Sequence, residues 1–156
     1  MVRSQLPNKP MFPDKTRMVK IANLLLLQLA IAPVIFIVVA FLLELGGASL
    51  ATNPGFVLQV LFVLILLSLA VIGITVFVQA SKSLMSGRVR YDPMGRAFQV
   101  MSLGAILSEQ HAVFGLILTF LSGLTFYLVG FSLVAWTSLC WVRQRFMQSL
   151  RTLPNA

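Results

Sequence analysis

The stretch AFQVMSLGAILSEQHAVFGLILTFLSGLTFYLVGFSLVAWTSLCWV, residues 97–142, decides how many times this chain crosses a membrane. It carries a single charge, Glu109, and is broken at Ser108-Glu109-Gln110-His111 and at Ser122-Gly123. If Ala97 to Ser108 formed a surface helix, the remaining apolar run from Ala112 to Val142 would make one crossing and the chain three. That run is about 31 residues, too long for a simple crossing of about 30 Å of hydrocarbon, and Gly123 lies where a turn is needed. Two spans, 97–121 and 124–142, joined by a tight hairpin, are therefore expected.

Upstream lie two more apolar stretches, 21–45 and 56–80, the first interrupted by Gln28 and Pro33 and the second free of charge. Each is about 25 residues, or roughly 37 Å of helix at 1.5 Å per residue, enough to cross with some tilt. The expected fold is an all-α integral membrane domain over 21–142, with four transmembrane helices and short loops. A basic N-terminal tail, 1–20, precedes it and a basic C-terminal tail, 143–156, follows. Residues 1–20 are polar and include Pro7, Pro10 and Pro13, and the apolar run after them is longer than a signal-peptide core, so it reads as a retained first span.

All twelve Lys and Arg residues fall in three segments: five before Ile21, four between Ser81 and Arg96, and three after Val142. Four spans put these segments on one side, and the positive-inside rule makes that side cytoplasmic: N-in, C-in, multi-pass in the cell membrane. Tyr127 and Trp141 sit where interfacial aromatic belts would lie, whereas Trp136 is deeper and reads as packing. Glu44, at the outer end of the first span, reads as interfacial.

Composition narrows the function classes. At 58% hydrophobic, 10% charged and a mean hydropathy of +0.94, the chain is far from a soluble globular domain. A net charge of +8 could point to nucleic acid, but the basic residues only flank apolar runs and form no basic surface interleaved with aromatics. Anionic lipid headgroups are the expected partners of the tails and the Ser81 to Arg96 loop. Cys140 is the only cysteine, no metal-ligand spacing occurs, and no phosphate-binding loop is present, so neither an enzyme nor a cofactor is implied.

Glu109 is the residue that composition does not explain. A charge at the bilayer centre costs about 2.5–3.5 kcal/mol on insertion scales, and an intramembrane ionisable group is a functional-site hypothesis by default. No basic residue lies at its depth in this chain, so it is protonated or satisfied by hydrogen bonds, water or another subunit. It is the candidate ion-binding residue. Ser102, Ala105, Glu109, Ala112, Thr119 and Gly123 recur at helical spacing and form a small-residue stripe expected to pack against a neighbouring helix. His111 projects about 200° away from Glu109, on a second stripe with Gly104, Ser108 and Gly115, so the two cannot form an acid-base dyad. It reads as an interior histidine bonded to a hydroxyl or a carbonyl; as an axial ligand to haem or chlorin it would serve only by sharing the group with another protomer or with water as the other ligand.

Residues 86–123 run from Ser-Gly-Arg-Val-Arg-Tyr-Asp-Pro through Leu107-Ser108-Glu109 to Ala112-Val113-Phe114-Gly115-Leu116. This stretch resembles the polar loop and second helix of the proteolipid (c) subunits of rotary ATP synthases and ATPases. The resemblance implies a cytoplasmic loop with Arg90 and Pro93, and Glu109 as carrier of a proton or sodium ion. The preceding span has Ser68, Ala70 and Gly73 where that family has a glycine repeat. Two functions follow as expectations: a non-catalytic accessory or assembly subunit that joins other membrane subunits, or a proton- or cation-translocating component.

An offset of 79 residues aligns Ala40 to Leu43 with Thr119 to Ser122, but the second helices of the two halves do not keep it. A 2+2 repeat is therefore open.

Overall fold

A backbone inside a bilayer has no water to bond, so its N–H and C=O groups must be paired within the segment, which a helix does. The computed structural model describes residues 15–45, 53–80 and 93–152. They form four α-helices: α1 (Lys15–Leu45), α2 (Pro54–Ala80), α3 (Pro93–Ser122) and α4 (Phe126–Arg151). All four are long and apolar enough to cross a membrane, and the chain is a multi-pass membrane protein by that measure. The polar step at 108–111 does not break α3, which disposes of the surface-helix alternative. The helices extend past several of the apolar runs: α1 begins at Lys15 and α4 continues to Arg151, inside the expected tails. An apolar run marks hydrocarbon thickness, whereas helical hydrogen bonding continues into the interface.

Local chemistry fixes the helix ends. Asn53 accepts the Gly55 N–H through Oδ1 at 3.0 Å and Pro54 opens α2, an N-cap followed by a proline whose missing donor costs nothing there. At the α3–α4 hairpin, Gly123 has φ 72°, a left-handed conformation that a side chain disfavours, and its N–H reaches Thr119 O at 2.8 Å. Ser122 Oγ accepts the Leu124 N–H at 3.1 Å, and Thr119 Oγ1 donates to Leu124 O at 3.3 Å. The first bond satisfies a carbonyl of the last turn of α3, and the other two tie Leu124 of the turn to that helix end.

α3 is the central helix, packed against the other three and most extensively against α4. α1 also packs on α4, whereas α1 and α2 share no extensive contact among the described residues. Ala40 and Thr119 line one small cavity, so the offset of 79 is also the register of α1 beside α3. The halves nevertheless differ, since α3–α4 is a packed hairpin and α1–α2 is not.

One buried cluster joins Ala22 and Leu26 of α1 to Met101 and Ala105 of α3 and to Leu139, Val142, Phe146 and Leu150 of α4. A second joins Val57 and Leu64 of α2 to Leu118 of α3. Outside them, α1 and α2 expose Leu24, Ile35, Leu42, Leu58, Phe62 and Phe77. In lipid such residues need no cover, so association relies on close packing and polar contacts.

Two contacts locate the helix ends relative to each other. Arg143 Nε donates to Asn23 Oδ1 at 3.3 Å, which brings the N-terminal part of α1 and the C-terminal part of α4 to one end. At the opposite end, Thr125 Oγ1 donates to Glu44 Oε2. Midway, Trp136 Nε1 donates to Ala30 O at 3.0 Å. Pro33 has no N–H for the carbonyl four residues earlier, and the turn before a proline opens; the indole bonds in that turn and docks α1 to α4. Trp136 thus has a polar role beyond packing.

Candidate functional site

The structure separates the two ionisable residues in the middle of α3, Glu109 and His111, onto different faces. His111 is fully buried between helices, and its Nδ1 shares a hydrogen bond with Ser68 Oγ of α2 at 2.8 Å. Its ring stands edge-on to Phe114, with centroids 6.3 Å apart. One turn away, Ser108 Oγ donates to Gly104 O at 2.8 Å and lies 2.7 Å from Ser138 Oγ of α4. These groups form a polar seam where α2, α3 and α4 meet. Among the described residues, buried atoms without a protein partner are His111 Nε2, Ser132 Oγ and both amide atoms of Gln79. A buried polar atom left unpaired costs about 1–3 kcal/mol.

Glycines let the seam close. A Cβ on Gly104 would lie 2.8 Å from Gln79 Nε2 and 3.1 Å from a Val142 methyl, so the missing side chain gives space to the Gln79 amide. At Gly115 the space is taken by the backbone of α4 at Leu128 and Tyr127 and by Phe131 Cβ. Both glycines lie on the second stripe, with Ser108 and His111.

Glu109 lies elsewhere. It is half-buried at the edge of α3 and makes no hydrogen bond or ion pair among the described residues. The seventeenth of the 30 residues of α3, it is near mid-span. Ile106 and Phe120 are exposed on the same edge, and Val113 and Leu116 are half-buried. The nearest polar residue along it is Ser102, about 10 Å away at 1.5 Å per residue, whose Oγ donates to Phe98 O at 2.9 Å.

The small-residue stripe packs inward. Ala105 and Ala112 are fully buried, and Ala105 belongs to the α1–α3–α4 cluster. Thr119 and Gly123 border the cavity closed by Ala40, Leu43 and Glu44. The neighbours of the stripe are therefore α1 and α4 of the same chain, and it is not a free surface for a partner; Glu109 sits at its outer margin. Pro93 opens α3, while Arg90 lies outside the described residues.

Comparison with family models, with curated proteins and with solved structures finds no match to this chain. Among the described residues no group of three His, Cys, Asp or Glu side chains could hold a metal ion.

Sequence reasoning did not find the Ser68–His111 and Ser108–Ser138 pairs. A signal for the first was present. Within the apolar α2, Ser68, Thr75 and Gln79 fall at spacings of seven and four, which is one helix face. That face also carries Val57 and Leu64, and it is the face that packs on α3.

Proposed function

We propose that this protein is a small non-catalytic subunit of a larger membrane assembly, joined to its partner along the edge of α3 that bears Glu109. The observation that carries the reading is a half-buried carboxylate near mid-span, unpaired among the described residues and framed by Ile106, Val113, Leu116 and Phe120. Such a group in lipid calls for a donor from outside the chain. A partner helix with a basic or hydrogen-bonding side chain at that depth supplies one. Interhelical hydrogen bonds of this kind contribute about 0.6–1.7 kcal/mol, so Glu109→Leu is expected to weaken the assembly about 3- to 18-fold, while Glu109→Gln, which still accepts and donates, retains it. Purification in mild detergent with native mass spectrometry reads both. A wild-type protein free of any stoichiometric membrane partner, with Glu109→Leu indistinguishable from it, would sink the proposal.

The same half-exposed carboxylate favours a second reading, in which Glu109 binds and releases a proton or sodium ion as the proteolipid resemblance implies. Here Glu109→Gln leaves the fold intact and abolishes flux in reconstituted vesicles, because the amide cannot exchange a proton or balance a cation. Wild-type vesicles without flux above protein-free controls exclude this role.

In either case we place both ends and the Ser81 to Arg96 loop in the cytoplasm of a cell membrane. The support is the confinement of all twelve basic residues to those segments, together with the Arg143–Asn23 contact, which brings the C-terminal basic segment beside the N-terminal part of α1. Single cysteines introduced in a Cys140→Ala background are expected to react with an impermeant maleimide from the outside at position 52 and only after lysis at positions 9 and 88. Outside labelling at 88 reverses the orientation.

A further inference from the structure

α2 packs on α3 but shares no extensive contact with α4 among the described residues, and between residues 72 and 76 of α2 and residues 133 and 141 of α4 this leaves a groove of about 470 Å³. Its walls are Ile72, Val76, Leu133 and Val134, with the hydroxyls of Thr75, Thr137 and Ser138 spaced along it and Trp141 at one end. Thr75 and Thr137 donate to carbonyls of their own helices, so their hydroxyls present no free donor to the groove. The wall is therefore effectively apolar, and its volume is in the range of small-ligand sites. At the Trp141 end the chemistry changes. The Arg145 guanidinium stacks on the Trp141 ring, 5.4 Å from its centroid, and so places a cation at that end. This is the end at which Arg143 meets Asn23 and toward which the basic segments run.

We propose that the groove seats one anionic phospholipid, with an acyl chain between Ile72–Val76 and Leu133–Val134, its ester region at Trp141, and its phosphate on Arg145. An apolar slot open sideways in a membrane domain meets acyl chains first, and a cation fixed on an aromatic ring at the slot's interfacial end selects a negative headgroup. Arg143 is engaged with Asn23 of α1 and projects about 200° away from Trp141 on α4, so it supplies the internal control. The site is independent of Glu109, which lies on another face of α3.

The test uses the full chain in vesicles. The protein has two tryptophans, so Trp136→Phe leaves Trp141 as the single indole emitter. Phosphatidylglycerol with brominated chains is expected to half-quench Trp141 at a mole fraction about five-fold lower than brominated phosphatidylcholine, the selectivity of one basic side chain. Arg145→Gln should bring the two lipids to equality, Arg143→Gln should leave the preference in place, and Thr137→Phe should lower quenching by both. Native mass spectrometry of the wild-type protein, counting retained phosphatidylglycerol, gives the same comparison if Trp136→Phe loosens α1. Equal quenching by the two lipids in the Arg145-containing protein, or loss of preference in Arg143→Gln to the same degree as in Arg145→Gln, overturns the proposal. So does crosslinking through Cys140 to a dimer that Thr137→Phe abolishes, since a helix of a second copy would then occupy the groove.

Discussion

Gly115→Ala should separate the α3–α4 hairpin. A Cβ at this position would stand 2.8 Å from Leu128 Cα, 2.9 Å from Phe131 Cβ and 3.1 Å from Tyr127 O. Two of these atoms are backbone and the third is a Cβ, so none can swing aside, and α4 must move as a body along the face that carries most of the bundle's packing. Overpacking of this kind costs about 1–3 kcal/mol, and the expected loss lies toward the upper end because the displaced helix also holds Ser138 against Ser108 and Trp136 against Ala30. Gly104→Ala should cost less, since the nearest atom is the flexible end of Gln79. Gly73→Ala meets nothing within 4 Å and should be neutral or slightly stabilising through helix propensity. Denaturation in detergent of the three variants side by side gives the ranking. A tolerated Gly115→Ala with a damaging Gly73→Ala would mean that the close helix contact has been placed on the wrong glycine.

Ala105→Leu and Ala112→Leu should each destabilise the bundle by about 1–3 kcal/mol or more, whereas Leu116→Ala should change stability by well under 1 kcal/mol. Both alanines are fully buried, and Ala105 sits among Ala22, Leu26, Leu139 and Val142, where added carbon atoms force α1 from α3. Leu116 is only half-buried. Within lipid its truncation replaces one apolar contact with another, because no water is excluded by its burial and the hydrophobic term is small. Shifts in detergent stability and in the monodisperse yield measure the difference. Equal tolerance of leucine at both alanine positions would contradict the placement of α1 against this stripe.

What was legible in the sequence follows from solvent and geometry. A bilayer accepts only paired backbone, so apolar length gave four helices; Gly123, the one residue at the turn free to take a positive φ, marked the hairpin between the last two. The projection of α3 placed Glu109 and His111 on opposite faces because the angle between them is a property of the helix alone. That projection also identified both small-residue stripes of α3 without showing which helix each one meets. In α1 and α2 nearly every residue is apolar, so hydrophobicity cannot tell a lipid-facing leucine from a packed one, and only sparse polar residues such as Ser68 and Thr75 marked the inner face.

Tertiary structure decided the rest. It chose α3 as the centre, turned the Ala105–Ala112 stripe inward against α1 and α4, paired His111 with Ser68, and left Glu109 at a rim. It also held α2 away from α4, which opened the groove ending at Trp141 and Arg145. The spacing of residues along one helix is set by covalent geometry and can be read from the chain by itself. The choice among several equally apolar partners depends on small differences in shape and on a few hydrogen bonds, and those arise only when the helices are brought together.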